Sequence, residues 1–179
     1  MKAIKKVIQK IISGGQTGAD QGALQAAIWM SIPHGGWCPK GRRSENGAIP
    51  DLYSNLKEHS SPDYPPRTLA NVKDSDGTII FTFGPPERGS ALTIHLCKKE
   101  KKPWIHIDLL KLNSFQNALK VSRFIMENRI KVLNVAGNRE SKSPGIHDKV
   151  RNILIRAMVI MSGVKTAVAN GAMKCGAKK

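Results

Sequence analysis

Apolar positions along this 179-residue chain follow two periods, and the periods alternate. Val7–Ser13 is rich in β-branched residues and runs into Gly14-Gly15, which predicts a buried strand ending in a tight turn. From about Thr17 to Met30 the pattern is helical, with Ala19, Ala23, Leu24, Ala27 and Ile28 on one face and Pro33 beyond the end. "PHGGWCPKGRR" returns to a short extended segment and a loop. Residues 39–66 have little periodicity and five prolines, so they read as one long loop. Such a loop inside a compact domain is usually functional or disordered.

The alternation then resumes. "PPRTLANVKDSD" predicts a short helix with proline in its first turn, and "GTIIFTF" a near-continuous apolar strand suited to a sheet covered on both faces. "GPPERGSALTIHLCKKEKKP" reads as a loop and a helix with Ser90 as N-cap, followed by the strand "WIHIDL". Asn113 or Ser114 caps a helix carrying Phe115, Ala118, Leu119, Ile125 and Met126 on one side. "IKVLNVAG" is a further strand. A last helix starts near Pro144, with a stripe through Ile146, Val150, Ile153, Leu154, Ala157 and Met161. The order predicts an α/β fold, a mostly parallel central sheet with helices on both faces. Residues 1–162 form its single domain. Residues 163–179 lack a helical stripe and any acidic residue, and are expected to be a flexible basic tail.

Composition narrows the function. At 40% hydrophobic the chain supports one well-buried domain, and no segment approaches a membrane span. The amino-terminal apolar residues are interrupted by Lys5, Lys6, Gln9 and Lys10, unlike a signal peptide, so a cytoplasmic protein is expected. Cys38, Cys97 and Cys175 fit neither a disulfide framework nor a zinc pattern. Cys97 reads as core, and Cys38 as a loop residue open to exposure. A formal charge of +16 favours anionic partners, although scattered lysines also make an ordinary solvated surface.

Ligands of an open parallel sheet bind beyond the carboxyl ends of its strands. Four glycine-bearing loops leave such ends: "SGGQTGAD", "HGGWCPKGRR", "FGPPERGSALT" and "NVAGNRES". In the first, Gly14, Gly15, Gln16, Thr17 and Gly18 stand at a helix mouth, where free N–H groups favour an anion. The alternative is a set of structural glycines. Asp20 would repel a phosphate there, but it suits a ribose hydroxyl or a heterocycle amino group; it also suits the helix dipole. Gly36, Trp37, Lys40, Arg42 and Arg43 offer a ring and cations to a planar anion, or else Trp37 packs under its loop. Gly137, Arg139 and Glu140 would close the site from the last strand, or form a surface pair. His34, His95, His106 and His147 are scattered and carry no catalytic assignment.

"ISGGQTGADQGAL", "IPHGGWCPKGRR", "RTLANVKDSDGTIIF" and "VLNVAGNRES…PGI" resemble, in order, the signatures of the molybdenum carrier family of the Rossmann-like SLOG superfamily. The lysine-decarboxylase-like and DprA-like proteins are its relatives. The resemblance implies a Rossmann-like domain and a pocket for a phosphorylated planar ligand. Molybdenum cofactor or a molybdopterin-type pterin comes first, and a nucleotide second. In that cofactor the metal is held by the pterin's sulfurs, so no protein-ligated metal is expected. The related phosphoribohydrolases carry P-G-G-x-G-T-x-x-E and an upstream arginine. Here Arg67 resembles the arginine, Gly89 and Ser90 stand at the Gly-Thr positions, and Thr93 stands where the glutamate would be. Thr93 cannot act as a carboxylate acid or base. A binding protein or carrier is therefore expected rather than an enzyme, with Arg67, Gly89, Ser90 and Thr93 as a phosphate contact. Nucleotide processing is the alternative. Single-strand nucleic-acid binding ranks last, because interleaved aromatics are lacking. Oligomers are common among SLOG-type proteins, so a homo-oligomer is expected, and a molybdoenzyme would be the acceptor of a carried cofactor.

Overall fold

A computed structural model describes residues 7–169. The expectations for residues 170–179, with Cys175, lie outside these described residues. The chain runs β1 (Lys10–Ser13), α1 (Ala19–Trp29) and β2 (His34–Cys38), then a segment of short elements. These are the β3–β4 hairpin (Arg43–Ser44 and Gly47–Ala48), flanked by single 3-10 turns at Lys40–Arg42 and Asp51–Tyr53, and β5 (Leu56–Glu58). There follow α2 (Tyr64–Lys73), β6 (Gly77–Thr82), α3 (Arg88–Lys99), β7 (Trp104–Asp108), α4 (Ser114–Glu127), β8 (Val132–Gly137) and α5 (Ile146–Ala169). The main sheet has the order β5-β2-β1-β8-β6-β7 and is parallel throughout. This is the Rossmann-like α/β arrangement expected from the alternation of elements.

Residue alternation along the strands assigns the two faces. Ile79 and Phe81 of β6 and Leu133 and Val135 of β8 enter the core shared with α1, α4 and α5. On the opposite face Thr78 and Asn134 are paired in register, and the Asn134 amide donates to Thr78 Oγ1 at 3.1 Å. The face that they occupy is covered by α2 and α3, where Val72, Leu96 and Cys97 pack with Trp104. Polar residues are tolerated in these buried strands because they satisfy one another.

Four expectations change. Residues 39–66 are not a structureless loop: Cys38, Ile49, Tyr53 and Leu56 bury against Leu24 of α1, and β5 adds a strand to β2. Single apolar anchors at irregular spacing leave no period to read. Cys38 is accordingly buried at the end of β2, and its burial pushes the thiol pKa up. Ser90 is not the N-cap of α3; Glu87 occupies that place, and Ser90 N–H donates back to its carbonyl at 3.0 Å. The helix α5 continues to Ala169, past the boundary set at 162, because Gly163 inside a helix costs only about 1 kcal/mol.

The glycine at position 36 is a packing requirement of this sheet. It has φ +120°, and a Cβ there would lie 2.2 Å from the Ser13 carbonyl oxygen. Gly36→Ala is expected to destabilise the fold by about 1–3 kcal/mol through strain and overpacking, read as a lower urea midpoint. An unchanged midpoint would show that β1 and β2 can separate to admit a methyl group.

Candidate functional site

Beyond the carboxyl ends of β1 and β8, between α2 and α3, lies a cavity of about 290 Å³. The loop after β1 contributes Gly14 and Gln16, the first turn of α1 contributes Asp20, and β8 contributes Asn134 to Gly137 followed by Arg139. The α2 helix supplies Tyr64, Arg67, Thr68 and Asn71, which recur at helical spacing on one face; α3 supplies Gly89, Leu92 and Thr93.

The electrostatic centre of the cavity is a buried ion pair. Arg67 Nη1 lies 3.4 Å from Asp20 Oδ2, and the side chains are only 12% and 6% exposed. Asp20 also accepts the Gln16 N–H at 3.2 Å. Burial raises the Asp20 pKa above its ordinary value, and Arg67 and the Gln16 N–H oppose that shift. Arg67 Nε is buried without a hydrogen-bond partner among the described residues. An orphaned charged donor is costly to bury, so a ligand acceptor would stabilise it. Tyr64 lies under two cations, Arg67 at 5.7 Å and Arg139 at 4.9 Å from its ring centroid.

The first loop is a partly occupied anion cradle. Three of its donors are engaged within the protein, Gln16 N–H on Asp20, Thr17 N–H on Gln16 Oε1 and Ala19 N–H on the Asn138 carbonyl, while the N–H groups of Gly14, Gly15 and Gly18 make no hydrogen bond among the described residues. The glycines serve contact between chain segments. A Cβ at Gly14 would lie 1.3 Å from Arg67 Nη1, and one at Gly18 would lie 2.5 Å from the Asn138 carbonyl. Gly15 faces Leu56 and Ile49 rather than the cavity. The start of α3 adds further open donors. No side chain caps the helix, and the N–H groups of Arg88 and Gly89 make no hydrogen bond among the described residues. Arg88 has φ +44°, a conformation that costs a non-glycine residue roughly 1–2 kcal/mol. Ser90 is buried, with its hydroxyl on Asn138 Oδ1 at 3.3 Å, and the Thr93 hydroxyl donates to the Gly89 carbonyl at 2.8 Å.

The second loop stands apart from the cavity. Trp37 is turned to the far end of α2, where its Nε1 donates to Asp74 Oδ2 at 2.7 Å. Arg42 holds the segment after β2, donating to the Pro50 and Tyr53 carbonyls at 3.2 Å each, while Lys40 and Arg43 are exposed. The expected Trp37–Arg43 wall is therefore not formed in this arrangement, because β5 and the hairpin draw the loop outward. Arg139 lines the cavity; Glu140 does not, and instead accepts from Gly145 N–H at 2.5 Å and His147 N–H at 3.1 Å at the start of α5. Sequence reading missed Tyr64, Asn71 and Asn134. Only Asn134 had a local signal, a lone amide within an apolar strand. It also missed Glu45, on the hairpin, which accepts from the Thr17 hydroxyl and from Ser141 Oγ at 2.5 Å. Glu45 thereby ties the hairpin to two of the cavity's loops. Among the described residues no cluster of His, Cys, Asp and Glu could hold a metal ion, and no helix is long and apolar enough to cross a membrane.

Residues 11–158 match the model of the circularly permutated YpsA SLOG family. The chain belongs to that SLOG family. It is also similar to a solved structure from Syntrophus aciditrophicus described as "Putative molybdenum carrier protein", at 45% identity over 84% of this chain and 95% of that one, with a TM-score of 0.82. No match was found among curated proteins. The motif resemblance seen in the sequence is thus borne out at the level of family and fold.

The Asp20 shift gives this SLOG domain a pH signature. An aspartate whose folded pKa is raised binds protons more tightly in the folded state, so its contribution to stability falls as pH rises from the ordinary 3.8 through the raised value. Asn at this position cannot titrate. The unfolding free energy of Asp20→Asn minus that of the unchanged protein should therefore increase between pH 3.8 and neutrality, measured by urea unfolding. A difference that is flat across that range would mean that Arg67 fully compensates the burial.

Proposed function

We propose that this SLOG protein binds a phosphorylated, planar small molecule in the cavity between α2 and α3, in the manner of a carrier. The favoured ligand is molybdenum cofactor or a molybdopterin-type pterin, with a nucleotide as the alternative. The observation that carries the reading is the buried, unpartnered Arg67 Nε in a cavity that also holds Arg139 and the uncapped end of α3. A phosphate satisfies both arginines and the free N–H groups at once. Asp20 and the Asn134 Oδ1 supply the acceptors that the amino edge of a heterocycle requires, while the Asn71 amide is held by the Trp37 main chain, accepting its N–H at 2.8 Å and donating to its carbonyl at 2.9 Å. The name of the Syntrophus structure supports molybdenum as the cargo, held on the pterin. A cytoplasmic molybdoenzyme would then be the acceptor.

Native mass spectrometry of gently purified protein, with metal analysis of the same sample, tests the proposal. A retained pterin with stoichiometric molybdenum is the expected result; a retained nucleotide without molybdenum would replace the ligand. Arg139→Ala should weaken binding of the retained ligand about 10- to 100-fold, because a hydrogen bond to a charged group is lost, and titration calorimetry reads the change. Unchanged affinity would remove Arg139 from the site.

One observation favours a second reading. Thr93 provides no acid or base, but the Asp20 carboxyl lies in the same cavity beside Arg67, with its pKa raised by burial. That is the setting of a general acid or base, and it keeps nucleotide hydrolysis open. Release of free base from nucleoside monophosphates would establish it for the substrates tried. Release no greater than the blank would reject it for them.

A further inference from the structure

The β3–β4 hairpin is held to the domain by charge and hydrogen bonds rather than by packing. None of residues 43–48 is buried, and the nearest core side chain, Ile49, comes after the hairpin. Its turn carries Glu45, whose carboxylate links it to the loops after β1 and β8. Glu45 Oε1 accepts from the Thr17 hydroxyl and from Ser141 N–H at 3.2 Å, and Oε2 accepts from Ser141 Oγ at 2.5 Å. Glu45 N–H donates to Gln16 Oε1 at 3.0 Å, and Gln16 Nε2 reaches the Tyr64 hydroxyl at 3.4 Å. Burial by itself would raise the Glu45 pKa, but the Ser141 and Thr17 hydrogen bonds and the charge of Arg139 hold it below its ordinary value. Two hydroxyls, a main-chain N–H and a nearby guanidinium are the donor set of an oxyanion site. Here the chain's own carboxylate fills that set.

We propose that the corner between Thr17 and Ser141 is an anion subsite of the ligand cavity, and that Glu45 is a displaceable stand-in for the ligand's phosphate. The hairpin must then lift before the phosphate settles. This inference rests on the reading of the cavity as a phosphate-binding site. Gln16 and Arg139 line the cavity and also act on Glu45, so the corner and the cavity share a wall. Arg139 forms no ion pair among the described residues, which leaves its guanidinium open to an incoming anion. A phosphate drawn to Arg139 meets the Glu45 charge, and like charges at short range exclude one another. Release of Glu45 removes the repulsion and frees the Thr17 hydroxyl and both Ser141 donors. Little opposes that movement. The hairpin strands are two residues each, and Gly47, at φ +96°, has open space around it. Segments with few buried contacts are the ones that open locally. A subsite that is free about one-tenth of the time lowers the apparent affinity about tenfold, and a bound phosphate then holds the hairpin off.

Titration of the full chain with inorganic phosphate, followed by phosphorus NMR, tests the proposal. Glu45→Gln keeps the shape of the side chain and removes its charge. It should lower the phosphate dissociation constant by at least about tenfold, with the circular dichroism spectrum unchanged. Ser141→Ala breaks the same tie from the other side but also removes a donor of the subsite, so it should not tighten phosphate. Arg139→Ala added to Glu45→Gln should cancel the gain. Amide hydrogen exchange of residues 43–48 in the unchanged protein should quicken on addition of phosphate, and unchanged or slower exchange overturns the proposal. So does an equal gain from Ser141→Ala, which would make Glu45 a structural tie alone. Equal phosphate affinity with and without the Glu45 charge, abolished by Arg139→Ala, overturns the role of Glu45 and leaves the phosphate reading of the cavity standing. No phosphate binding by any variant overturns both.

Discussion

The close approach of backbone at three glycines governs the arrangement around the sheet. At Gly18, Gly36 and Gly137 a Cβ would fall 2.5, 2.2 and 2.1 Å from a neighbouring carbonyl oxygen. Removing those methyl groups lets the loop after β1 pass under the loop after β8, and lets β2 lie against the end of β1. The cavity, the Asp20–Arg67 pair and the uncapped end of α3 all take their positions from this packing. The glycine-rich loop therefore acts first as a spacer between chain segments.

That spacing divides the anion-binding capacity of the site. A glycine turn at a helix mouth ordinarily presents N–H groups to a ligand; here Asp20, Gln16 and Asn138 accept those of Gln16, Thr17 and Ala19, and those of the three glycines are left open among the described residues. Further open donors belong to α3 and to the two arginines flanking Tyr64. A buried carboxylate beside a buried guanidinium with an orphaned Nε is poorly balanced as a structural pair, because desolvation is not repaid in full. Such imbalance is typical of sites that bind or react. It is also what separates the two functional readings. A carrier needs Arg67 for a phosphate, whereas a hydrolase needs Asp20 as a proton donor or acceptor.

The segment 39–58 shows how a stretch without periodicity can be ordered. Ile49, Tyr53 and Leu56 each bury one side chain, Arg42 ties three carbonyls, and Glu45 reaches back to Thr17 and Ser141. Each anchor is a separate long-range contact. Together they draw Trp37 away from the ligand cavity and set the hairpin over its loops.

The sequence by itself determined the strand and helix order, the parallel sheet and the end of the sheet where a ligand site lies. Those follow from local period and chain connectivity, and every strand of the main sheet was legible except β5, which lies in the aperiodic segment. It also pointed to Asp20 and Arg139 through the loops that follow β1 and β8, and to Arg67, Gly89 and Thr93 through the resemblance to the phosphoribohydrolases; all five line one cavity. Only the tertiary structure decided that Trp37, Arg42 and Glu140 serve packing, that Tyr64 and Asn71 face the cavity, and that Phe115, Leu119 and Met126 lie outside the core. A helical stripe reports which residues share a side within a span of about 100°. Two adjacent stripes on α4 merge within that span, and which of them meets the sheet depends on α5, far away along the chain.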